Sequence, residues 1–186
     1  ILKVDLNEII KQAKEKYNLK NAKIVANLPY YITTPIIMKL LESKIDITSI
    51  TVMIQKEVAD RLAEIPGGKN TGAITYTVYY YGEPEKLLEV PKSSFIPEPS
   101  VTSEVIKINI RKEPPVKVQN EERFFKLIKV AFLQRRKTLL NSLTNNGISN
   151  KEELTQLLSK LNIDEKIRSE KLTIDQFAEL SNNLNT

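Results

Sequence analysis

The chain has 186 residues, with 28 Lys and Arg against 23 Asp and Glu, a formal net charge of +5 and a pI near 9.2. It contains neither Cys nor His, which excludes disulfides, thiolate chemistry, imidazole base catalysis and His-containing metal sites. With 41% hydrophobic residues it can bury a core, and no apolar run reaches transmembrane length. These features favour a cytoplasmic protein without a membrane partner, whose positive charge suits a polyanion.

The first part of the chain alternates helical and strand patterns. In chain order the predicted elements are an amphipathic helix over 6–17, a buried strand over 23–27, a helix capped by Thr33 or Thr34 with Pro35 at its first position, a buried parallel strand over 49–55, a helix over 56–63 and an exposed loop over 66–72. This order predicts an α/β fold with a parallel sheet.

The pattern changes in the second half. Residues 73–81 favour a strand by propensity, because they are rich in Tyr, Thr and Val. Strands are predicted over 85–90 and 101–110, and no helix separates them, so we expect an antiparallel hairpin at the sheet edge. Beyond Pro114 the pattern predicts only helices, at 121–134, 136–145, 151–161 and 173–183. We therefore expect an α/β domain over 1–113 and a small all-α domain over 114–186.

The segment Asn27-Leu28-Pro29-Tyr30 follows the first predicted strand, at the end where open α/β sheets bind ligands. The Asn27 side-chain oxygen and a main-chain carbonyl, of Leu28 or Pro29, could accept the two hydrogens of an exocyclic amine. The Tyr30 ring could stack on the base that carries the amine. The alternative is a proline turn with a packed tyrosine.

A second candidate segment runs from Phe95 to Val105 with the pattern Phe-x-Pro-x-Pro-x-Val-x-Ser-x-Val. Its prolines stiffen a loop that leads into a strand, and Phe95 could form an opposite stacking wall. A base that undergoes chemistry has to leave its helix, and aromatic walls commonly receive it. The alternative is that Phe95 is an ordinary core residue.

A stretch of strongly positive charge lies in the predicted helical domain. Between residues 123 and 137 there is no acidic residue and there are six basic ones, namely Arg123, Lys126, Lys129, Arg135, Arg136 and Lys137. The pattern favours contacts with phosphate groups over the alternative, which is the solvated face of a helix.

These segments together resemble the ribosomal RNA adenine dimethyltransferase family. The similarity rests on the two segments above and on three others, Gln55–Arg61, Ala131–Leu139 and Arg168–Thr173, and it runs in order along almost the whole chain. The most similar branch is the bacterial small-subunit one, whose members dimethylate two adjacent adenosines near the 3′ end of 16S rRNA.

The resemblance implies the carboxyl half of a Rossmann-like sheet of the S-adenosylmethionine-dependent methyltransferases, followed by the all-α domain, with a helix at 73–81. By the same resemblance Asn27 and the Leu28 carbonyl would position the target N6, while Tyr30 and Phe95 would stack on the adenine. Asn27 and Pro29 would border S-adenosylmethionine, and no metal is implied. The partner would be 16S rRNA in the small ribosomal subunit, and the full-length enzyme would be a monomer.

The chain departs from the family pattern at its start. It begins at Ile1 and lacks the Gly-x-Gly-x-x-Gly pattern, and the family's glycine-rich loop and acidic cofactor ligands precede Ile1. We therefore expect a carboxyl-terminal portion of a longer protein that does not bind S-adenosylmethionine appreciably and could dimerise through an exposed sheet flank. Two alternative functions stay open, a 23S rRNA adenine methyltransferase of the macrolide-resistance type and a non-catalytic ribosome assembly factor.

Overall fold

The structure, a computed structural model, describes residues 3–184 and divides into two compact units. The first contains the chain up to Ala63 together with Thr77–Glu113, and the second contains Glu64–Tyr76 together with the chain from Pro114 onward. Residues 64–76, which the sequence placed with the α/β part, thus belong to the helical unit.

The first unit is a four-stranded sheet with helices. Its elements are α1 (Leu6–Tyr17), β1 (Lys23–Asn27), a 3₁₀ turn (Tyr30–Ile32), α2 (Thr33–Glu42), β2 (Ser49–Gln55), α3 (Lys56–Leu62), the second half of α4 (Ala73–Tyr81), β3 (Gly82–Val90) and β4 (Ser103–Ile110). The strand order is β1-β2-β4-β3. β1 and β2 are parallel, and β4 pairs antiparallel with both β2 and β3, so the predicted parallel pair and antiparallel edge are confirmed.

The core of this unit lies on the two central strands. Ile50, Val52 and Ile54 of β2 are fully buried, as are Ile106 and Ile108 of β4. These residues alternate along each strand, so one face of the sheet carries the apolar side chains that pack beneath the helices. Two strands fixed in this way provide a rigid base for the loops at their ends.

Two local predictions are wrong. β1 is not buried: it forms one edge of the described sheet, none of its residues is fully covered, and Val25 is 78% exposed. Helix α2 begins at Thr33 itself, with Ile32 as its cap residue, so Pro35 is the third helical residue. The Thr33 hydroxyl is buried and donates to the Pro29 carbonyl, which draws it away from a capping role.

Residues 73–81 form helix α4, so the strand favoured by propensity is wrong and the helix implied by the family resemblance is confirmed. Tyr76, Val78 and Tyr80 are buried. Their burial outweighs the weak strand preference of Tyr, Thr and Val, because tertiary packing contributes more than local propensity. Tyr80 also packs edge to face against Tyr81, with ring centroids 5.0 Å apart.

The second unit is helical. It contains α5 (Glu121–Ala131), α6 (Leu139–Asn145), α7 (Lys151–Lys160) and α8 (Ile174–Asn183), with a 3₁₀ turn at Ser169–Lys171. Asn120, Thr138, Asn150 and Thr173 cap these four helices through their side chains. The helices predicted over 121–134 and 136–145 are both shorter in the structure. The first ends at Ala131 and the second begins at Leu139, because residues 132–137 form a turn.

A small charged cluster in the first unit joins side chains of α3, β3 and β4. Glu104 on β4 is buried, its side chain being 8% exposed, and one carboxylate oxygen has no hydrogen-bond partner within residues 3–184. The Lys86 ammonium on β3 lies 3.7 Å from this carboxylate and donates to Asp60 on α3. That bond to Asp60 raises the pKa of Lys86. Lys86 is therefore the cation that offsets a buried negative charge.

We expect Lys86→Met to lower the free energy of unfolding by about 1–3 kcal/mol, because Glu104 would lose its nearest cation. Adding Glu104→Gln should recover part of this loss, since the buried charge disappears with it. Urea unfolding of the single and double variants measures both effects. Lys92→Met is the control, because its 3.5 Å ion pair with Glu98 is solvent-exposed and should matter little. Equal effects at Lys86 and Lys92 would contradict this account.

Candidate functional site

The segment Asn27–Tyr30 begins where β1 ends. Asn27 lies opposite Met53 of β2, and the Leu28 amide donates to the Met53 carbonyl at 3.3 Å. Leu28 is buried, so its side chain anchors the loop to the sheet. Asn27 is exposed, and within the described chain its side chain has no hydrogen-bond partner. Its amide oxygen is therefore available to a ligand.

The two main-chain carbonyls considered from sequence are not equivalent. The Pro29 carbonyl accepts from the Ile32 amide and from the Thr33 hydroxyl, both at 3.1 Å. A carbonyl oxygen has two lone pairs, so Pro29 has no remaining acceptor capacity. The Leu28 carbonyl accepts no hydrogen bond from any residue between 3 and 184. The geometry thus leaves Leu28 as the acceptor that can act beside Asn27.

Both predicted aromatic walls lie at one cavity. This cavity has a volume of about 300 Å³ and is lined by Asn27, Leu28, Pro29, Tyr30, Phe95, Pro97 and Pro99. Tyr30 and Phe95 are each half-buried, so each ring presents part of its surface. The volume is at the lower end of the range for small-molecule sites, roughly 300–1,000 Å³, and suits one planar group. The structure brings together all five residues that the sequence predicted as catalytic.

Among the described residues that line the cavity, the Tyr30 phenol is the ionisable side chain. The polar groups of the cavity are an amide, main-chain carbonyls and that phenol, and such a set can position a ligand by hydrogen bonds and stacking but offers no strong base. Within residues 3–184 no group of His, Cys, Asp and Glu side chains could hold a metal ion.

One residue that sequence analysis did not single out contacts this site. The Ser103 hydroxyl on β4 lies 2.6 Å from the Tyr30 hydroxyl. Ser103 is fully buried at the first position of β4. The signal in the sequence was the serine of the Phe-x-Pro-x-Pro-x-Val-x-Ser pattern, a polar residue where a buried strand begins.

Five of the six basic residues are exposed in the helical unit, two on α5 and three in the turn that follows it. Lys126 and Lys129 are exposed on α5, whose opposite face buries the apolar side chains. Arg135, Arg136 and Lys137 are exposed in the turn between α5 and α6, and among the described residues none of these five lysines and arginines forms an ion pair. We call these five residues the basic surface.

Arg123 differs from the basic surface. It is half-buried, and its guanidinium donates to the Leu184 carbonyl at 3.1 Å, just beyond the end of α8. Its Nε atom is buried without a partner in the described chain. The position is that of a residue that supports the packing of α5 and α8.

Two solved structures share this fold. A dimethyladenosine transferase from Plasmodium falciparum matches with a TM-score of 0.69 at 24% identity, over 94% of this chain and 76% of that one. The 23S rRNA methyltransferase ErmE matches with a TM-score of 0.64 at 19% identity, over 99% of this chain and 80% of that one. The fold is therefore that of the α/β methyltransferases with an added helical part, as the family resemblance implied.

The family follows from sequence comparison. The family model "Ribosomal RNA adenine dimethylase" matches residues 1–186. Proteins described as ribosomal RNA small subunit methyltransferase A are similar over nearly the whole chain, with 52% identity for Clostridioides difficile and 50% for Alkaliphilus oremlandii, covering 100% and 99% of this chain. This chain belongs to the ribosomal RNA adenine dimethylase family. It spans about 63% of the length of these curated relatives.

None of the helices within residues 3–184 has the length and apolar character needed to cross a bilayer.

Proposed function

We propose that the protein containing this chain transfers methyl groups from S-adenosylmethionine to the N6 amines of two adjacent adenosines near the 3′ end of 16S rRNA. The observation that carries the proposal is a pair of acceptors, the Asn27 amide and the Leu28 carbonyl, that no described residue engages, at a cavity bordered by Tyr30 and Phe95.

The proposed chemistry starts from a poor nucleophile. The lone pair of an adenine N6 is delocalised into the ring, and two acceptors placed against its two hydrogens favour a pyramidal nitrogen. Asn27 and the Leu28 carbonyl would be those acceptors. S-adenosylmethionine, which Asn27 and Pro29 would border, would supply an electrophilic methyl group to this nitrogen, and the nitrogen would release a proton to water as S-adenosylhomocysteine leaves. No strong base is needed at the cavity.

The aromatic residues would hold the base. An adenosine that reacts at N6 has to leave its stack in the RNA, and the lost stacking is replaced by aromatic side chains. Tyr30 and Phe95 lie on the cavity wall, as such a role requires. Base stacking on an aromatic side chain contributes about 1–3 kcal/mol.

The methyl donor follows from the family, since rRNA methyltransferases of this class use S-adenosylmethionine. Asn27 and Pro29 are proposed to border it. It stays a prediction that the 186-residue chain alone binds the donor weakly, that no metal takes part, and that the full-length enzyme is a cytoplasmic monomer.

The small subunit is the favoured substrate, because the relatives of about 50% identity carry small-subunit names. The 23S rRNA methyltransferase of the macrolide-resistance type is the alternative, and ErmE shares the fold at 19% identity. A non-catalytic assembly factor is less favoured, because RNA binding alone would not require an unengaged acceptor pair.

The test is transfer of label from S-adenosylmethionine by the full-length protein. It is offered unmethylated small ribosomal subunits and, separately, protein-free large-subunit RNA. We expect label on the small subunit only. Label only on large-subunit RNA would move the protein to the alternative branch, and no label on either, with tight subunit binding, would favour an assembly factor.

The basic surface is proposed to bind RNA phosphates. We expect Arg135→Ala with Arg136→Ala to weaken binding of small-subunit RNA and to flatten its salt dependence. Each lost phosphate contact removes about 0.7–0.9 from the slope of log K against log salt concentration, so the pair should remove up to about 1.4–1.8. Binding titrations at several salt concentrations measure the slope.

The matched control removes two exposed positive charges elsewhere on the same unit, by Lys117→Ala with Lys151→Ala. This control should keep a slope close to that of the unsubstituted protein. If both double variants shift the slope equally, net charge rather than a defined surface explains the binding.

A further inference from the structure

We propose that Ser103 is a positioning residue for methyl transfer, which acts by holding the Tyr30 ring against the target base. The inference rests on the proposed function of the cavity. Ser103 does not line the cavity, whereas Tyr30 does, so its influence on a base would pass through the tyrosine.

Tyr30 has little support from its own segment. It lies in a three-residue 3₁₀ turn that has no side-chain cap, next to the exposed Tyr31. The turn is closed by the bond from the Ile32 amide to the Pro29 carbonyl, which fixes the backbone but not the Tyr30 ring. Within the described chain the Ser103 hydroxyl is the hydrogen-bond partner of the Tyr30 hydroxyl.

Ser103, in contrast, is held firmly. Its backbone pairs with Gln55 of β2 on one side and with Val90 of β3 on the other, and its side chain is fully buried. A bond of 2.6 Å from such a site transmits the rigidity of the sheet to the Tyr30 ring. β4 also follows the loop that carries Phe95. The strand therefore holds one aromatic wall, Tyr30, through a hydrogen bond, and the chain connects it to the other wall, Phe95.

The test uses the full-length protein and small-subunit RNA. We expect Ser103→Ala to lower kcat about tenfold, because small misplacements of a positioning group are costly, while KM for the RNA changes less than about twofold. Tyr30→Phe keeps the ring and loses the same bond, so it should give a similar loss in kcat. The double variant should be no worse than either single one, since both changes remove one interaction.

Ser49→Ala is the matched control. Ser49 is also buried at the first position of a central strand, β2, but its side chain forms no hydrogen bond with any residue between 3 and 184. This control should leave kcat unchanged. An unaltered kcat in Ser103→Ala, or losses in the two single variants that multiply in the double one, would overturn the inference.

A second readout does not require methyl transfer. RNA with 2-aminopurine at the target adenosine reports stacking by fluorescence quenching, and Ser103→Ala should make the bound RNA brighter while Ser49→Ala does not. If the unsubstituted protein methylates no RNA, the proposed function fails and this signal alone decides the role of Ser103. Equal quenching in all the variants would then overturn it.

Discussion

Replacing Asn27 by Ala in the full-length protein is expected to lower the rate of methyl transfer about 10²–10³-fold. Removing one preorganised hydrogen-bonding group from a reacting centre typically costs this much. The Asn27 side chain is exposed at the cavity and unengaged within the described chain, so its loss should not disturb the fold. KM for the RNA should change little, because most affinity for RNA comes from phosphate contacts. Single-turnover kinetics separate the two effects.

Asn27→Asp tests the acceptor role directly. A carboxylate keeps the shape and the acceptor oxygen of Asn27 but cannot donate. We therefore expect Asp to retain more activity than Ala. Asn21→Ala is the control, because Asn21 is exposed just before β1 and lies outside the cavity. Two results would contradict the proposed role. One is a rate of methyl transfer in Asn27→Ala above a third of the original rate, and the other is an Asn27→Asp variant as inactive as Asn27→Ala.

The second large effect concerns Tyr76, at the centre of the helical unit. Its ring is fully buried and packs against Phe177, with centroids 4.9 Å apart, and its hydroxyl donates to the carbonyls of Leu172 at 2.7 Å and Ser169 at 3.2 Å. We expect Tyr76→Ala to cost about 3–5 kcal/mol of the free energy of unfolding, through the cavity it leaves. Tyr76→Phe should cost about 1–3 kcal/mol, because the buried Leu172 carbonyl loses its donor, whereas the Ser169 carbonyl keeps the bond from the Leu172 amide. Denaturant unfolding followed by circular dichroism measures both.

The control for Tyr76 is Tyr31→Phe, since Tyr31 is 88% exposed and should change stability by less than about 0.5 kcal/mol. The pH dependence gives a further check. Burial, and secondarily the Glu170 charge, raises the pKa of Tyr76 well above its ordinary value of 10.0. The contribution of the protonated phenol is fully present below pH 10 and is lost as the pH rises towards the folded-state pKa. If Tyr76→Phe loses as much stability at alkaline pH as the unsubstituted protein does, Tyr76 is not the group responsible and the account is contradicted.

Strand predictions succeeded where the pattern was local. Ser49–Gln55 was predicted as a buried strand from its β-branched residues, and β2 has those bounds. The strand β1 was misjudged because apolar residues such as Val25 are buried only if another element packs on their face of the sheet. Residues 73–81 were misjudged because the burial of Tyr76 is a tertiary effect that propensity does not contain.

The candidate site was partly predictable for a similar reason. Asn27–Tyr30 and Phe95 were found because each belongs to a short pattern at a predicted strand end or loop. Two features depend on three-dimensional contacts and could not be found that way. One is the choice of the Leu28 carbonyl, which follows from the bonds that occupy Pro29, and the other is the bond from Ser103 to Tyr30.

The most direct measurement for the central claim is to identify the methylated nucleosides. Unmethylated small subunits are treated with the full-length protein and S-adenosylmethionine, and the RNA is digested and analysed by mass spectrometry. We predict N6,N6-dimethyladenosine at two adjacent positions near the 3′ end of 16S rRNA, and neither modification with Asn27→Ala. Methyl groups on other atoms or other nucleotides, or unchanged modification in Asn27→Ala, would contradict the claim that this cavity holds the adenine during methyl transfer.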